Sequence, residues 1–528
     1  MSTKKNKYDV VIIGSGLGSI ACASFIAKMY KLKVLVVEQN KKAGGLSQSI
    51  VTDHDVELEI GIHQVGELGS ETLFSKLMSY ISDGKSSWQK LPDPFIKFHF
   101  PDFVYEVTSG ELNHISGLSR LFPSEEANIH QYYRDIEQVT KWYRNFTTES
   151  LNNNRLRLQK LLDLEPGKMA MMTTGDYLDH RFTNEKLKSL IASHWTDYGL
   201  PPHTSAFLKH ALLVNNHKDG VYYPQFGSTQ FIDSIVDTVV RNDGEFIFNS
   251  RVQEIKYEGK RAHSVAVINE ETGEKTVVQA SVVISGIGLY NTYGKLLDKN
   301  LAPEKLSAIE SFKKHGVSFI KLFATLKHDP RSVGADATLS WVYPGYDHDQ
   351  NFKERKTLPG EYISQFSLSF PSLKKNGNPI HSMKINTLVD YDAFTRWLGD
   401  QASGEDYERI KLEIGESLLD AAEKLHPGLR DLIDHWDLYT PASAKRDTGH
   451  YKGNIFGIPD IPERYKNLDL NCFTPLENVF VTGADITTSG VYGAVLSGAL
   501  TASAAFKDKQ FFLKIIQNTS LDKMKNNI

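Results

Sequence analysis

The sequence YDVVIIGSGLGS, residues 8–19, decides the fold of this chain, because an uninterrupted apolar run leads directly into closely spaced glycines. Residues 10–13 are typical of a strand that is buried on both faces, and the residues after the glycines have helical character. Gly14 permits a tight turn, and Gly16 lets the backbone approach a phosphate group without a Cβ atom in between. This order of strand, glycine turn and helix predicts a nucleotide-binding unit.

A second strand and an acidic residue complete this unit. Residues 33–37 are mostly apolar and end at Glu38, where a carboxylate would accept hydrogen bonds from the ribose hydroxyls of an adenosine. Such an acid favours an unphosphorylated ribose, and therefore FAD or NAD over NADP. A further glycine turn, Gly44-Gly45, continues the phosphate path and favours FAD, with NAD as the less favoured ligand. The alternative is a glycine-rich turn followed by a surface glutamate.

The far end of the chain carries a second glycine motif, VFVTGADITTSGVYGAVLSG, at residues 479–498. It again runs from an apolar strand through glycines into a helical pattern, which points backbone N–H groups at a phosphate or a flavin. We expect Gly483, Ala484 and Asp485 to meet the pyrophosphate and ribityl region. The helix that begins near Gly490 would place its positive end beside the flavin ring. A chain that begins and ends in this way is predicted to wrap around FAD.

The composition is typical of a large globular enzyme. The 528 residues are 40% hydrophobic and 23% charged, which is enough to build a large core and two domains. The net charge of −4 argues against a nucleic-acid partner. Cys22 and Cys472 are expected to be buried, reduced thiols, which indicates a reducing compartment. No metal site is predicted.

The N-terminus imitates a secretory signal, since Lys4, Lys5 and Lys7 precede an apolar run. Cleavage there would destroy the glycine motif, so we expect the segment to be retained and the protein to be cytoplasmic. No run reaches the roughly 18 uninterrupted apolar residues that a membrane-spanning helix needs. Peripheral membrane attachment is expected through residues 506–517 or a face at 207–214, where apolar residues lie beside basic ones. The alternative for 506–517 is a terminal helix docked on the protein's own core.

The pattern along the chain predicts an α/β fold in which two domains are interleaved. A Rossmann-type FAD-binding domain is expected from segments 1–70, 220–295 and 440–528. An α+β substrate domain is expected from segments 71–219 and 296–439, which leave and re-enter the first domain as a lid does.

Local patterns place several elements inside these segments. A hairpin is expected at residues 95–107 with its turn at Pro101-Asp102, and strands are expected at 317–326 and 363–370. A helix should include residues 418–425. The aromatic runs at 95–105 and 341–343 would line an apolar tunnel or, as the alternative, fill the core.

Several short motifs occur in one order along most of the chain. They are Gly61-Ile62-His63, DYGLPP at 197–202, SAF at 205–207, HALLVN at 210–215, Tyr223-Pro224, LYNTY at 289–293 and Phe370-Pro371-Ser372. In these motifs the chain resembles the retinol saturases, the all-trans-retinol 13,14-reductases. It is also similar to carotenoid isomerases and phytoene desaturases, which share an amine oxidase-like FAD fold. It departs from the saturases at Ser19, where the third glycine of the fingerprint is expected, and at residues 225–227.

The resemblance implies an FAD-dependent oxidoreductase that acts on a carbon–carbon double bond of a polyene or isoprenoid lipid. A saturase transfers a hydride from the flavin to one alkene carbon and a proton to its neighbour. His63 and Tyr492 are the titratable groups nearest to the flavin ring in these motifs, and we predict them as catalytic residues, with a structural role as the alternative. Val252 resembles the family residue whose backbone holds the adenine.

The residues predicted to hold FAD lie in the glycine motifs and the segments after them. They are Gly14, Ser15, Gly16, Leu17, Gly18, Glu38, Gln39, Gly44, Gly45, Leu46, Ser47, Gly61, Ile62, His63, Val252, Gly483, Ala484, Asp485, Gly490, Val491, Tyr492 and Ala494.

Three functions stay open at this point. The first is a saturase that reduces one double bond of a long apolar lipid. The second is an isomerase or desaturase that uses the same flavin site. The third is a flavin-free lipid-binding escort protein, similar to the Rab GDP dissociation inhibitors, and the intact Gly14, Gly16 and Glu38 argue against it. The sequence names neither the electron donor nor the oligomeric state.

Overall fold

A computed structural model describes residues 7–51, 57–69, 71–315, 317–355, 363, 365–375, 380–397 and 404–525. Lys4, Lys5 and residue 364 of the predicted strand at 363–370 lie outside this described part. The strands are β1 (Lys7–Ile13), β2 (Val34–Val37), β3 (Ser49–Val51), β4 (Glu57–Glu59), β5 (Trp88–Lys90), β6 (Ile96–Phe100), β7 (Phe103–Val107), β8 (Tyr222–Pro224), β9 (Glu245–Ile247), β10 (Ser250–Glu258), β11 (Arg261–Asn269), β12 (Lys275–Ser285), β13 (Ser318–Leu326), β14 (Leu339–Val342), β15 (Phe366–Ser369), β16 (His381–Val389), β17 (Ile433–Tyr439) and β18 (Val479–Val481).

The helices alternate with these strands, and short 3₁₀ turns connect many of them. The α-helices are α1 (Leu17–Tyr30), α2 (Leu73–Ile81), α3 (Glu111–Leu121), α4 (Glu126–Ser150), α5 (Arg155–Leu162), α6 (Glu165–Ala170), α7 (Thr174–Arg181), α8 (Glu185–Ala192), α9 (Phe207–His217), α10 (Ser228–Arg241), α11 (Leu289–Asn291), α12 (Pro303–Ser311), α13 (His348–Glu354), α14 (Glu405–Leu425), α15 (Leu429–Leu432), α16 (Pro441–Thr448), α17 (Pro462–Lys466), α18 (Val491–Ala505) and α19 (Phe511–Lys525).

The first of two large sheets carries the glycine turns. β1 lies between β2 and β12 and is parallel to both, and β18 is parallel to β12. Residues 10–13 are buried between these neighbours, which explains why that run is uninterruptedly apolar. Because parallel strands end at the same edge, the turns at Gly14, Gly286 and Gly483 are brought together there. This edge is where a ligand is expected in an open α/β sheet.

Helices cover one face of this sheet and include the chain's last helix. α1, α2, α10, α18 and α19 share one apolar core with β1 and β2. In α19, Phe511 and Ile515 are fully buried, and the Phe511 ring centroid lies 5.3 Å from that of Phe25. Leu513, on the same helix, is 59% exposed. The C-terminal segment therefore docks on the protein's own core, which was the alternative to a membrane-binding helix.

The second sheet has seven strands in the order β17, β13, β16, β15, β14, β6, β7. One face, which includes Ile320 and Ile385, packs on α14. On the other face, one residue from each of six neighbouring strands stands in direct register. We call this set the cross-strand row, and it consists of Lys321, Asn386, Ser367, Trp341, Phe98 and Tyr105. Directly paired residues share a face of a sheet, so these six side chains form one continuous line.

Most of the predicted elements are present. The hairpin is formed by β6 and β7 with Pro101 and Asp102 between them, and the strand predicted at 317–326 is β13. β15 covers part of the strand predicted at 363–370, and α14 includes residues 418–425. The two large sheets draw their strands from different segments, the first from 7–37, 245–285 and 479–481 and the second from 96–107 and 318–439. The domain boundaries themselves stay a prediction.

The prediction of a membrane face at residues 207–214 is wrong. These residues belong to α9, and Phe207, Leu208, Lys209 and His210 are all buried. They pack inside the protein because their polar groups find partners there, as described below. Cys22 and Cys472 are buried free thiols, as predicted. Among the residues that the structure describes, no helix combines the length and the apolar character needed to cross a membrane.

Candidate active site

The glycine turn after β1 opens the N-terminus of α1 toward a large cavity. Gly14 has a φ of +85°, a conformation that favours glycine. Gly16 precedes α1 with a φ of −57°, and a Cβ atom added there would meet no atom within 4 Å. The first turn of α1 has neither a capping side chain nor an acidic residue. Its N–H groups and the helix dipole therefore offer a site for an anion.

α18 begins at the same cavity. Gly490 precedes it with a φ of +99°, and a Cβ atom there would again meet no atom within 4 Å. The first turn of α18 likewise has no capping side chain and no acidic residue. A Cβ atom on Gly18 would lie 3.0 Å from both Ala494 O and Gly483 Cα. The hydrogen side chain of Gly18 thus lets the two ends of the chain pack directly against each other.

The second glycine turn extends the same wall. Gly44 N donates a hydrogen bond to Ser15 O at 3.0 Å. A Cβ atom on Gly45 would lie 3.1 Å from Gly16 Cα. Both glycines have a positive φ, +121° at Gly44 and +55° at Gly45. The backbone of this turn therefore continues the path that starts at α1.

Glu38 supports the turn from the end of β2. It is 6% exposed, and its Oε2 accepts hydrogen bonds from Ser15 N at 2.7 Å and Ser15 Oγ at 2.6 Å. Its Oε1 accepts a hydrogen bond from Asn40 N at 2.9 Å. The carboxylate thus joins the glycine turn to the segment after β2. Its role toward a ribose stays a prediction.

The cavity has a volume of about 360 Å³, and most of the predicted FAD-binding residues line it. These are Gly16, Leu17, Gly18, Gly44, Gly45, Leu46, Ser47, Gly61, Ile62, His63, Gly483, Ala484, Asp485, Gly490, Val491, Tyr492 and Ala494. The other predicted residues, which lie behind or beside this wall, are Gly14, Ser15, Glu38, Gln39 and Val252. Val252 belongs to β10 and pairs with Val267 of β11, so its contact with an adenine stays a prediction.

Ser19 stands where the fingerprint has its third glycine, and the structure shows how a side chain is accommodated there. A Cβ atom on Gly286 would overlap with Ser19 Oγ and lie 3.1 Å from Ser19 Cβ. The glycine that the helix lacks is thus present on the neighbouring strand end, and close packing survives. Ser19 Oγ is buried on the cavity wall and has no hydrogen-bond partner in the described part of the chain.

Asp485 fixes two loops at the cavity. Its Oδ2 accepts a hydrogen bond from Leu289 N at 2.8 Å, and its Oδ1 accepts one from Ile458 N at 2.8 Å. Both carboxylate oxygens are therefore engaged by backbone, and the residue is 7% exposed. Asp485 therefore holds two backbone segments of this wall in place. Its contact with a ribityl chain stays a prediction.

His63 and Tyr492 both lie on the cavity wall. Burial and the nearby Lys384, Lys321 and Lys374 lower the pKa of His63 well below its ordinary value. Its imidazole is therefore neutral near pH 7 and does not supply a proton as an imidazolium. Burial, together with Glu67, raises the pKa of Tyr492, so its phenol keeps its proton.

Lys321 also lies on the cavity wall and was not predicted as a site residue. It occupies the middle of β13 and is 4% exposed, and its Nζ donates a hydrogen bond to Ile60 O at 2.5 Å. Burial and the neighbouring Lys384 lower the pKa of Lys321 well below its ordinary value. The signal was present in the sequence SFIKLFATL, since a lysine inside an apolar strand has to be buried.

A buried ionic network holds the turn before α18 and was also missed. Lys209 Nζ donates a hydrogen bond to Ser489 O at 2.7 Å and lies 3.8 Å from Asp460 Oδ2. Arg464 Nη1 pairs with Asp460 Oδ1 at 2.7 Å. Burial alone would raise the pKa of Asp460, but Arg464 and Lys209 hold it below its ordinary value. The network fixes the backbone that leads into the N-terminus of α18.

The wall also carries buried polar atoms without a partner within the described residues. They are Ser19 Oγ, Gln64 Oε1 and Nε2, His217 Nδ1, Trp341 Nε1, Asn386 Oδ1 and Thr488 Oγ1. Buried polar groups in proteins are normally hydrogen-bonded, so Ser19 Oγ, Gln64 Oε1 and Thr488 Oγ1, which belong to the segments of the glycine motifs, indicate a bound polar ligand there. Together with the open space at Gly16 and Gly490 and the two uncapped helix N-termini, they fit a ligand that combines a pyrophosphate with a polar ring. FAD has both.

Known proteins are similar to this chain over most of its length. The sequence profile of the family described as flavin containing amine oxidoreductase matches residues 20–505. An all-trans-retinol 13,14-reductase of Danio rerio is 27% identical, covering 96% of this chain and 87% of that protein. A chloroplastic prolycopene isomerase of Daucus carota is 22% identical, covering 96% of this chain and 81% of the relative.

A solved structure shares the fold. A putrescine oxidase bound to putrescine superposes with a TM-score of 0.62 at 15% sequence identity, covering 95% of this chain and 99% of that one. The predicted interleaved α/β fold, the FAD cofactor and the resemblance to retinol saturases are therefore confirmed. The protein is an FAD-dependent oxidoreductase rather than a flavin-free escort protein. With a family match that spans nearly its whole length, the chain belongs to the flavin containing amine oxidoreductase family.

Proposed function

We propose that this enzyme reduces a carbon–carbon double bond of a long polyene or isoprenoid lipid, in the manner of the retinol 13,14-reductases. The observation that carries the proposal is the similarity to those reductases over 96% of this chain. One of the motifs that carry the resemblance also lies at the site, because Gly61, Ile62 and His63 line the cavity.

The composition of the cavity supports an apolar substrate. Away from the glycine turns, Leu213, Phe319, Leu339, Trp341 and Phe456 give the wall apolar surface, and polar side chains such as Asn216 and Asn386 lie among them. A mostly apolar wall with a few polar groups is typical of a site for a small organic ligand. Of the two aromatic runs that were expected to line a tunnel, Trp341 reaches the cavity, whereas Phe95 and Tyr343 are buried in the core.

When bound, FAD would supply the hydride, and the protein then has to deliver a proton to the neighbouring carbon. Several titratable residues line the cavity, and they include the predicted His63 and Tyr492 and the newly found Lys321. Lys321 lies on the same wall, its Nζ donates a hydrogen bond to Ile60 O, and burial beside Lys384 lowers the pKa of this amine from its ordinary value. The raised pKa of Tyr492 makes its phenol a poorer acid, and neutral His63 is suited to orient a partner by hydrogen bonding. We therefore propose Lys321 as the proton donor, with Tyr492 and His63 as positioning residues.

A redox-neutral isomerase is the second candidate, because the prolycopene isomerase of Daucus carota is similar over 96% of this chain. An isomerase uses the same flavin site and the same apolar wall. The two reactions differ in the mass of their products, since a reduction adds two hydrogen atoms to each substrate molecule and an isomerisation adds none.

Anaerobic turnover tests the proposal. The purified holoenzyme is mixed with all-trans-retinol or another defined polyene and reduced with dithionite, and the products are examined by mass spectrometry. The expected product is heavier than the substrate by two hydrogens and forms in proportion to the electrons supplied. Product of unchanged mass in excess of the electrons supplied would establish the isomerase. FAD-loaded enzyme that converts none of a panel of polyenes would refute both reactions.

We also propose peripheral association with lipid surfaces, because a long apolar substrate partitions into bilayers. Liposome flotation of the full chain measures it directly. Absence of the protein from the floated fraction at low and high content of anionic lipid would rule out this association.

A further inference from the structure

We infer that the hydrocarbon end of the substrate lies in a channel that follows the cross-strand row from the cavity to a mouth between β7 and α3. The inference rests on the proposed function in one respect, since it takes the ligand to be a long apolar chain. It assigns a binding role to a part of the protein that lies away from the glycine turns.

Three cavities are linked by residues that line two of them at once. His217 of α9 lines both the main cavity and a second, smaller cavity. We call this second cavity the aromatic chamber, and Phe98, Tyr133 and His194 line it too. Its outer wall is formed by Tyr105 and His114, and the same two side chains line a groove at the surface.

The cross-strand row runs beneath all three cavities. Lys321, Asn386 and Trp341 line the main cavity, Phe98 lines the chamber, and Tyr105 lines both the chamber and the surface groove. Five steps between neighbouring strands separate Lys321 from Tyr105, which corresponds to roughly 24 Å at about 4.8 Å per step. An extended carbon chain advances about 1.2 Å per bond, so this distance accommodates roughly 20 bonds. The row is therefore long enough for a polyene with one end at the site and the other near the surface.

The chemistry of the chamber suits a hydrocarbon. Rings surround it, with the Phe98 centroid 5.1 Å from that of His194, and His194 6.1 Å from His217. Burial lowers the pKa of His217 to about 3, so the imidazole is neutral near pH 7. The chamber volume is about 40 Å³, so occupancy by a chain requires the surrounding side chains to move. Stacking of a polyene on such rings is favourable.

The mouth of the channel is accessible and partly apolar. The surface groove has a volume of about 410 Å³. Val104 and Leu121 on its rim are 49% and 43% exposed, respectively. Gly117 of α3 lies in the groove, where an added Cβ atom would be 3.8 Å from Tyr105 Oη. A large side chain at position 117 would therefore fill the mouth directly in front of Tyr105.

This position gives a test with a matched control. Gly117→Trp places an indole in the mouth, whereas Ser116→Trp places the same side chain on the adjacent, exposed position of the same helix. The probe is parinaric acid, a linear polyene whose fluorescence rises in an apolar site, mixed with FAD-loaded protein in a stopped-flow instrument. Because no reaction is needed, uptake of the probe is measured separately from turnover.

We expect Gly117→Trp to slow association of the probe by about tenfold or more. Ser116→Trp should stay within about twofold of the unmodified protein, as surface substitutions usually do. Tyr105→Ala, which opens the wall between groove and chamber, should speed association. Absorbance of bound FAD and thermal unfolding show that each variant is folded.

Two results would overturn the channel. One is an equal association rate in Gly117→Trp and Ser116→Trp together with no change in Tyr105→Ala, and the other is an unmodified protein that takes up no probe. Uptake that depends on Gly117 in a protein that reduces no polyene would support the channel and refute the proposed reaction instead.

Discussion

Replacing Gly16 by alanine should separate cofactor binding from folding. The φ of Gly16 is −57°, so alanine adopts it without strain, and the new Cβ atom meets no protein atom within 4 Å. Because alanine is a poorer N-cap than glycine, stability of the cofactor-free protein should fall by about 0.5–1 kcal/mol. The methyl group projects into the space where a pyrophosphate is expected, and overpacking of this kind costs about 1–3 kcal/mol. The affinity for FAD should therefore fall by about 5- to 150-fold.

Flavin fluorescence quenching on titration of the cofactor-free protein measures this affinity, and thermal unfolding without FAD measures folding. Gly18→Ala is the matched control, because its Cβ atom would lie 3.0 Å from Ala494 O and should destabilise the protein itself. A Gly16→Ala variant that binds FAD within twofold of the unmodified protein would refute the assignment of this space to the pyrophosphate. A large loss of stability in the absence of FAD would show that Gly16 is needed for folding instead.

Three further predictions concern packing and protonation. Gly286→Ala should cost about 1–3 kcal/mol of stability, because its methyl group would overlap with Ser19 Oγ. Adding Ser19→Ala should recover most of that loss. If thermal unfolding shows the same loss in the single and the double variant, this packing is contradicted. Because burial lowers the pKa of His210 to about 3, the unfolded chain binds a proton below pH 6.5 that the native state does not, so stability should fall as the pH drops. In urea unfolding, the free energy of unfolding that is lost between pH 7 and pH 5 should be about 2 kcal/mol smaller in His210→Gln than in the unmodified protein. If the two proteins lose the same free energy over this range, His210 is not the group responsible. Phe511→Ala should cost about 3–5 kcal/mol, whereas the exposed control Leu513→Ala should cost under about 0.5 kcal/mol; equal losses would contradict the docking of α19.

The glycine motifs and most regular elements could be predicted because their signals are local. A strand between two parallel neighbours must be apolar on both faces, and residues 10–13 show this in four consecutive positions. The hairpin of β6 and β7 is indicated by apolar and polar residues that alternate on both sides of Pro101 and Asp102. Such patterns depend only on residues that are close in sequence, so a single amino-acid sequence is enough to detect them.

What was missed depends on partners far away in sequence. Residues 207–214 combine apolar side chains with Lys209 and His210, a composition that indicates a surface helix. In the structure Lys209 reaches Ser489 O, and His210 Nε2 shares a 2.7 Å hydrogen bond with Tyr132 Oη. A buried helix whose polar groups are satisfied by distant segments cannot be told from an interfacial helix by its own sequence. Lys321 was overlooked for the same reason, since its acceptor, Ile60 O, belongs to another segment.

The contact of Gly18 with Gly483 and Ala494 has a consequence for biosynthesis. One wall of the cofactor site is formed near residue 18 and the other near residues 483–494, so a nascent chain has no complete site until both segments have left the ribosome. FAD can therefore stabilise only a chain that contains both segments, and its binding adds to the stability of that state alone. A prematurely terminated chain would lack this stabilisation and be left to the cell's chaperones and proteases. Supply of FAD during synthesis should accordingly govern how much of the completed enzyme accumulates.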